Sequence, residues 1–290
     1  MIAPTRQWCI QIEVTNACPR RCANCTRALA HAREPFFITR REFCRAVGAL
    51  MAFPDDSEPD AQARPKIVGL IGGEPLVHPE FRRLVDIFCE MIPRRSARGC
   101  WTGVDLSRHR YGELIRRRFG YVNENLHEPP SRHHPILVSV SEVARTLFDD
   151  QAEAEQWMWQ QIDACWLQPL WSSSITPKGF FFCEVAAALD LVFDGPGGLP
   201  VDPTCWRQPL AAYREQIERW CPRCGIPLRN LRARPDRDRL DDVSPQNLRE
   251  LRRLGSPRIQ RGEYQTYNLP AYDPAAEPRS TPWRYLAEAP

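Results

Sequence analysis

The amino-acid sequence predicts an α/β protein in which strands and helices alternate, followed by a smaller cysteine-rich segment. Residues 8–14 and 66–71 are short apolar runs typical of strands, and each precedes a stretch in which apolar residues recur at helical spacing. Strands that alternate with helices pair in parallel through right-handed crossovers, and repetition of this unit builds a full or partial (β/α) barrel. We therefore predict a partial (β/α) barrel with a small C-terminal module made of a β-hairpin and a helix.

The composition is that of a globular protein with one substantial core. The chain has 290 residues, 43% of them hydrophobic, and its 39 basic residues nearly balance its 36 acidic ones. This balance gives no reason to expect a nucleic acid or a membrane as partner. The first six residues do not resemble a secretion leader, and no apolar run has membrane-spanning length, so we expect a cytoplasmic protein. In that compartment, the twelve cysteines indicate metal or redox chemistry rather than disulfides.

Three closely spaced cysteines follow the first predicted strand. Cys18, Cys22 and Cys25 form a CxxxCxxC motif. One tight loop of this spacing can direct three sulfurs to the corner of an iron–sulfur cube and leave the fourth iron without a protein ligand. A structural zinc site, completed by Cys9 or Cys44, is the alternative interpretation of the triplet.

The second predicted strand ends in the turn sequence Gly72-Gly73-Glu74-Pro75. A CxxxCxxC loop and a GGEP turn, each directly after a strand, resemble the two motifs of the radical S-adenosylmethionine (SAM) superfamily. The resemblance covers residues 8–140. It implies a 4Fe-4S cluster on Cys18, Cys22 and Cys25, with SAM bound to the open iron and its methionine amino group against the GGEP turn.

The same resemblance implies an enzymatic activity. Members of the superfamily cleave SAM reductively to a 5′-deoxyadenosyl radical, which abstracts hydrogen from a substrate. A cellular one-electron donor such as flavodoxin or ferredoxin would be the partner. No substrate-specific motif is visible, so the substrate is expected only to be a small molecule or a peptide.

The remaining elements of this part follow from apolar spacing and turn residues. Thr39 and Glu42 have the capping-box pattern at the start of the first helix, and Pro79 opens the second. Further strands are predicted over residues 99–104, 121–122 and 136–140, and further helices over residues 111–118 and from residue 141.

Several polar residues in this part are candidates for ligand contacts. The resemblance implies ribose contacts near Ser139 and Ser141, although helix capping explains these two serines about as well. Asn24 stands where the superfamily often has an aromatic contact to adenine. Three histidines between residues 123 and 135 could supply a substrate base or be ordinary loop residues: His127, His133 and His134.

The pattern changes after a tryptophan-rich helix predicted over residues 152–166. Residues 172–176 and 180–183 predict a hairpin, and residues 184–193 predict an apolar helix. Cys183, Cys205, Cys221 and Cys224 lie in this region and end in a CxxC motif. Four such cysteines can hold zinc or a complete 4Fe-4S cluster.

The order of these cysteines, with the hairpin beside them, resembles the twitch module, a shortened SPASM domain that holds an auxiliary cluster in radical SAM enzymes. This resemblance covers residues 172–227 and implies a second 4Fe-4S cluster that accepts an electron from the substrate. The remaining thiols are interpreted as small apolar residues of the core. They are Cys9, Cys44, Cys89, Cys100 and Cys165.

We accordingly divide the chain into a radical SAM core over residues 1–170, a twitch-like module over residues 171–230 and an Arg- and Pro-rich tail over residues 231–290. The tail is expected to wrap around the protein or to be partly disordered. The predicted reaction is the oxidation of a polyol, an aminosugar or a short peptide. The alternatives are a redox-neutral radical SAM epimerase or rearrangement enzyme with structural zinc at the C-terminal cysteines, and a zinc-stabilised interaction module without activity.

Overall fold

The computed structural model of the chain describes residues 1–55, 64–127, 131–169 and 173–276. Parts of three predicted segments lie outside these residues: the loop over residues 54–65, position 172 of the hairpin, and residues 277–290 of the tail. The strands of the described part are β1 (Cys9–Glu13), β2 (Ile67–Ile71), β3 (Arg98–Thr102), β4 (Tyr121–Glu124), β5 (Arg132–His133), β6 (Ser173–Thr176), β7 (Gly179–Phe181), β8 (Arg234–Pro235), β9 (Asp241–Val243) and β10 (Tyr264–Thr266).

The helices alternate with the first strands and then dominate the second half of the described chain. The α-helices are α1 (Arg40–Leu50), α2 (Phe81–Met91), α3 (Gly112–Arg118), α4 (Val140–Leu147), α5 (Gln151–Asp163), α6 (Glu184–Val192), α7 (Arg214–Trp220), α8 (Pro245–Arg253) and α9 (Pro257–Gln260). Short 3-10 turns occur at Pro4–Arg6, Leu29–His31, Pro75–Val77, Arg95–Ala97, Leu210–Tyr213, Cys221–Arg223, Asp236–Asp238 and Leu269–Ala271.

A six-stranded sheet with the order β4-β3-β2-β1-β6-β7 forms the centre of the fold. Its strands pair in parallel except for β7, which runs antiparallel to β6. The predicted α/β class with a mainly parallel sheet is therefore confirmed. In the described part of the chain the sheet has two edges, β4 and β7, so a closed barrel is not seen and the partial (β/α) barrel stays a prediction.

Local sequence signals account for the first helix. The Thr39 side chain accepts the N–H of Glu42, and the Glu42 carboxylate accepts the N–H of Thr39 at 2.8 Å, which completes the predicted capping box. Phe43 and Leu50 are fully buried on the apolar face of α1, and the ring of Phe43 lies 6.3 Å from that of Phe88 in α2. Burial of this face holds α1 and α2 together.

The predicted strand over residues 136–140 is wrong. Leu137 forms only an isolated bridge with Val243, and α4 begins at Val140 with Ser139 as its cap. A short apolar run indicates burial, and burial alone does not distinguish a strand from an irregular core segment.

The predicted hairpin is present, but it belongs to the central sheet. Strands β6 and β7 pair antiparallel, and β6 also pairs in parallel with β1, with Ile10 opposite Ser173. The turn between them uses Gly179 at φ +124°, where a side chain would be strained. The separation of residues 171–230 as a module of their own stays a prediction.

The C-terminal residues that the structure describes carry regular elements. Strand β8 pairs with β5, and β9 pairs with β10. Leu248, Leu251 and Ile259 are buried, so residues 231–276 contribute to the core. Among the helices of the described ranges, none combines the length and apolar character needed to cross a bilayer.

Candidate functional site

The CxxxCxxC cysteines lie in the loop after β1, at the carboxyl edge of the parallel strands. The pKa of Cys18 is raised to about 11 and that of Cys22 to about 12, mainly because both thiols are buried. The neighbouring Cys25 thiol contributes to both shifts. The Cys25 sulfur accepts backbone N–H groups of Arg27 and Leu29. The structure therefore brings the three thiols together in one small region.

The GGEP turn follows β2 at the same edge and is bound directly to the base of the cysteine loop. The N–H of Gly73 donates to the Thr15 carbonyl at 2.7 Å, and the N–H of Glu74 donates to the Ala17 carbonyl at 2.9 Å. A Cβ atom on Gly72 would lie 2.2 Å from the Thr15 oxygen, and one on Gly73 would lie 2.3 Å from the Ala17 oxygen. Both positions require glycine because two backbones meet here.

The Glu74 carboxylate accepts three hydrogen bonds from other residues of the protein. One oxygen accepts the Thr102 hydroxyl at 2.8 Å and the Leu76 N–H at 3.2 Å, and the other accepts the Gly103 N–H at 2.9 Å. Burial raises the pKa of this carboxyl, and the three hydrogen bonds oppose that shift. Glu74 thus ties the GGEP turn to the end of β3, while Pro75 begins a buried 3-10 turn.

Asn24 attaches the cysteine loop to the C-terminal residues. It adopts φ +48°, a left-handed conformation that asparagine tolerates better than most residues. Its side-chain nitrogen donates to the Asp242 carboxylate at 2.9 Å, and its side-chain oxygen accepts the Asp242 N–H at 2.9 Å. Asn24 therefore holds β9 against the loop.

A buried polar group reinforces this attachment. The Asp241 carboxylate lies 2.8 Å from the His31 ring nitrogen Nε2 and 2.8 Å from Nε of Arg258, and it also accepts the N–H of Asn24. The other ring nitrogen of His31 lies 2.9 Å from the Ser256 hydroxyl. No motif in the sequence identified these residues, because the contacts of His31 and Asn24 with this group join positions more than 200 residues apart.

His127 and Asp236 lie beside Cys22. The ligand atoms of these three residues all lie within 4.8 Å of one another. His133, by contrast, contacts the Ala23 carbonyl at 2.9 Å, and His134 contacts the Gly225 carbonyl at 2.9 Å. The predicted histidine segment thus divides between the two cysteine regions.

Three of the four C-terminal cysteines, together with Cys165, line a largely apolar cavity. We call it the second cavity, since the N-terminal cysteine loop is the first of the two cysteine regions. The lining of the second cavity includes Cys165, Cys183, Cys221 and Cys224. Burial raises the pKa of Cys165 to about 12 and raises those of Cys221 and Cys224 well above their usual range, and the neighbouring thiols add to these shifts. Four thiols therefore converge, although one of them was assigned to the apolar core on sequence grounds.

Cys205 does not line this cavity, so its predicted role as a ligand beside Cys183, Cys221 and Cys224 stays a prediction. The Tyr213 hydroxyl donates to its carbonyl, and Asp202 is its nearest charged neighbour. The adjacent Trp206 contacts the ring of Phe53 at 5.3 Å. Cys165 does line the cavity, because α5 ends at Asp163 and the following turn reaches it. No pattern in the sequence set Cys165 apart, since it falls within the helix predicted over residues 152–166.

Ser139 and Ser141 lie beside the second cavity. The Ser139 hydroxyl caps α4, donates to the Pro222 carbonyl at 2.9 Å and lies 2.9 Å from the Ser141 hydroxyl. Pro222 lies within the CxxC turn between Cys221 and Cys224. Ser139 is thus a helix cap, which is one of the two interpretations of these serines, and its hydroxyl also binds the CxxC turn.

A buried ion-pair group connects the two cysteine regions. The Arg27 guanidinium pairs with Glu13 at the end of β1 and lies 3.3 Å from Glu184, which directly follows Cys183. The backbone N–H of Arg27 binds the Cys25 sulfur, and its positive charge also acts on Cys183. Arg27 was not singled out in the sequence, because 37 arginines cannot be ranked without contacts.

The sulfur positions bear on which group could be held. Among the described residues, no three cysteine sulfurs lie within 4.8 Å of one another. A tetrahedral zinc ion with bonds of about 2.3 Å requires sulfurs about 4 Å apart. A 4Fe-4S cluster keeps its thiolates farther apart because the cluster stands between them. Both cysteine groups supply the number of thiolate donors that a cluster requires, three in the loop after β1 and four around the second cavity.

His134 is buried beside the CxxC turn, and burial lowers its pKa to about 4. Unfolded histidine takes up its proton near pH 6.5. We therefore expect stability to fall as the pH decreases from about 6.5 to about 4, since the unfolded chain binds more protons in this window. The full loss from this residue is about 3 kcal/mol.

The measurement is the free energy of unfolding in urea between pH 4 and 7. His134→Gln retains an N–H donor for the Gly225 carbonyl and is expected to remove this part of the pH dependence. An identical pH slope in the two proteins would contradict the expectation.

Comparison with known proteins gives little similarity in sequence. No protein-family model and no curated protein matches the chain. Among solved structures, the crystal structure of BtrN in complex with AdoMet and 2-DOIA aligns at 13% sequence identity with a TM-score of 0.41, covering 75% of this chain and 92% of that one. The functional argument therefore depends on the residues of the site.

Proposed function

We propose that the protein is a radical SAM enzyme. The observation that carries the proposal is the junction of the two motifs, in which Gly73 and Glu74 bind the backbone of Thr15 and Ala17 directly before the cysteine loop. Both motifs lie at the carboxyl edge of the parallel strands, where α/β sheets bind their ligands. A zinc-stabilised interaction module gives no reason for this junction.

In this proposal, Cys18, Cys22 and Cys25 hold a 4Fe-4S cluster with one open iron. When bound, the cluster supplies the electron that cleaves SAM, and the resulting 5′-deoxyadenosyl radical abstracts hydrogen from the substrate. The backbone of the GGEP turn would receive the methionine part of SAM. Glu74 contributes by fixing that turn to Thr102 and Gly103.

We further propose that Cys165, Cys183, Cys221 and Cys224 hold an auxiliary 4Fe-4S cluster. Four thiolates leave no iron open to substrate, so electron transfer is the use that remains for this site. Because Arg27 pairs with Glu13 at the end of β1 and with Glu184 next to Cys183, this group would hold the two sites at a fixed distance from each other.

An oxidation is the reaction that uses both sites. Hydrogen abstraction from a carbinol or amino-acid carbon leaves a radical that must lose one more electron to become a ketone, an imine or a cross-link. The substrate class is accordingly a polyol, an aminosugar or a short peptide. A flavodoxin or ferredoxin would supply the electron for SAM cleavage.

The proposal is tested by anaerobic reconstitution with iron and sulfide, followed by incubation with SAM and dithionite. The wild-type protein is expected to release 5′-deoxyadenosine, and Cys18→Ala is expected to reduce the product to background. Cys44→Ala is the matched control, because this exposed thiol on α1 belongs to neither cysteine group. Equal product from wild type and Cys18→Ala would refute the assignment.

A further inference from the structure

Cys22, His127 and Asp236 form a compact group of three different metal-ligand side chains. Their ligand atoms lie within 4.8 Å of one another. The side chains of His127 and Asp236 are only 11% and 6% exposed, and the His127 ring nitrogen Nδ1 lies 2.5 Å from the Asp236 carboxylate. No ligand set argued from the sequence includes this combination.

Three separate parts of the fold supply the group. Cys22 belongs to the loop after β1, His127 follows β4, and Asp236 follows β8. The Asp236 carbonyl accepts the N–H of Ala23 at 2.7 Å, and the Asp236 N–H donates to the Ser131 carbonyl at 2.8 Å. These backbone bonds place the carboxylate beside Cys22 whether or not its side chain has a ligand.

The conformation of His127 is a second, independent observation. It has φ +60°, a left-handed conformation that costs a residue other than glycine about 1 kcal/mol. Its N–H is held by the Asn125 side chain at 3.2 Å. Strained backbone of this kind concentrates at functional sites, where surrounding structure maintains it. In this conformation the imidazole of His127 lies beside Cys22 and Asp236.

Thiolate, imidazole and carboxylate are the ligands that zinc uses in proteins. Bonds of about 2.0–2.3 Å place tetrahedral ligand atoms roughly 3.5 Å apart. An ion would therefore open the contact between His127 and Asp236 from 2.5 Å, while the Cys22 sulfur already lies within 4.8 Å of a ligand atom of each.

We propose that Cys22, His127 and Asp236 bind one divalent transition-metal ion of the zinc class in the chain that lacks its iron–sulfur cluster. Cys22 is also a ligand in the proposed cluster, so the two occupancies exclude each other. The ion would hold the loop after β1 against the segments that carry His127 and Asp236 until the cluster replaces it. The site itself does not depend on whether the protein cleaves SAM.

The test is a titration of the full-length, iron-free protein with Co²⁺ under anaerobic, reducing conditions. Co²⁺ reports its ligands through thiolate-to-metal charge-transfer absorption. We expect His127→Asn and Asp236→Asn each to bind one equivalent less than wild type, whereas Cys18→Ala and Cys25→Ala bind as much as wild type. The four cysteines of the second cavity are present in all these proteins, so any Co²⁺ that they bind is the same in each titration and does not affect the difference between variant and wild type.

Two features keep the test decisive. His127→Asn retains a residue that tolerates the left-handed backbone, and His127→Cys restores a ligand and is expected to recover the lost equivalent with stronger charge-transfer absorption. The inference is overturned if His127→Asn and Asp236→Asn bind as much Co²⁺ as wild type. It is also overturned if Cys18→Ala and Cys25→Ala lose the equivalent, because the cysteine triplet alone would then be the site.

A negative result in the Co²⁺ titration leaves 5′-deoxyadenosine formation unaffected, so this inference and the proposed enzymatic function fail separately.

Discussion

Cys165→Ala is expected to remove half of the iron that the reconstituted protein holds, from about eight to about four irons per chain. Cys165 is one of four thiols around the second cavity, and a 4Fe-4S cluster that loses one of four thiolate ligands is exposed to exchange and loss. The N-terminal cysteines are untouched, so 5′-deoxyadenosine formation should continue. Oxidation of the substrate, which is proposed to need the second site, should stop.

Cys205→Ala is the matched control for this experiment. Cys205 is also a buried thiol in the same part of the sequence, but it lies against Tyr213 and Asp202. Its replacement should leave the iron content at about eight per chain and cost only the small stability change of a truncated core residue. Iron and sulfide analysis together with Mössbauer spectra would measure the outcome. Equal iron loss in both variants, or loss in Cys205→Ala alone, would contradict the ligand set proposed from the cavity.

Gly73→Ala is expected to reduce SAM cleavage by about 100-fold or more, because a displacement of about 1 Å at a reacting site has effects of this size. The added Cβ would lie 2.3 Å from the Ala17 carbonyl oxygen. The nearest atoms are backbone, so relief requires the GGEP turn and the cysteine loop to separate. Overpacking of this kind is also expected to lower the free energy of unfolding by about 3 kcal/mol.

Gly48→Ala provides the comparison, since Gly48 lies within α1 and its added Cβ would meet only the Met91 side chain at 3.7 Å. Alanine favours the helix and is expected to raise stability by up to about 1 kcal/mol without changing SAM cleavage. Urea unfolding and 5′-deoxyadenosine assays measure both effects. Wild-type activity in Gly73→Ala would show that the contact between the two motifs is dispensable.

The elements that the sequence predicted correctly are those with a local cause. The capping box at Thr39, the apolar face of α1 and the strands before both motifs depend on residues within one or two turns of each other. The hairpin depends on a turn sequence between two short strands. The strand over residues 136–140 failed because apolar content reports burial, whereas pairing depends on a neighbour that the run does not specify.

The candidate sites divide in the same way. Spacing alone brought Cys18, Cys22 and Cys25 into one loop, since three ligands within eight residues cannot separate far. Sequence spacing could not predict that Cys165 lines the second cavity and Cys205 does not, because this cavity brings together the segments after α5 and after the hairpin with the CxxC turn. The role of Asn24 likewise depends on Asp242, 218 positions away.

By itself, then, the sequence determined the α/β class, the order of the first strands and helices, and the two motifs at strand ends. Only the tertiary structure showed that Cys165 lines the second cavity, that Ser139 binds the CxxC turn, and that Asp241 and Asp242 contact the N-terminal cysteine loop. The physical reason is the distance along the sequence over which the stabilising contacts act. Turns, caps and periodic apolar faces are energetically favourable within a few residues, whereas a cavity or a buried ion pair exists only after distant segments have packed together.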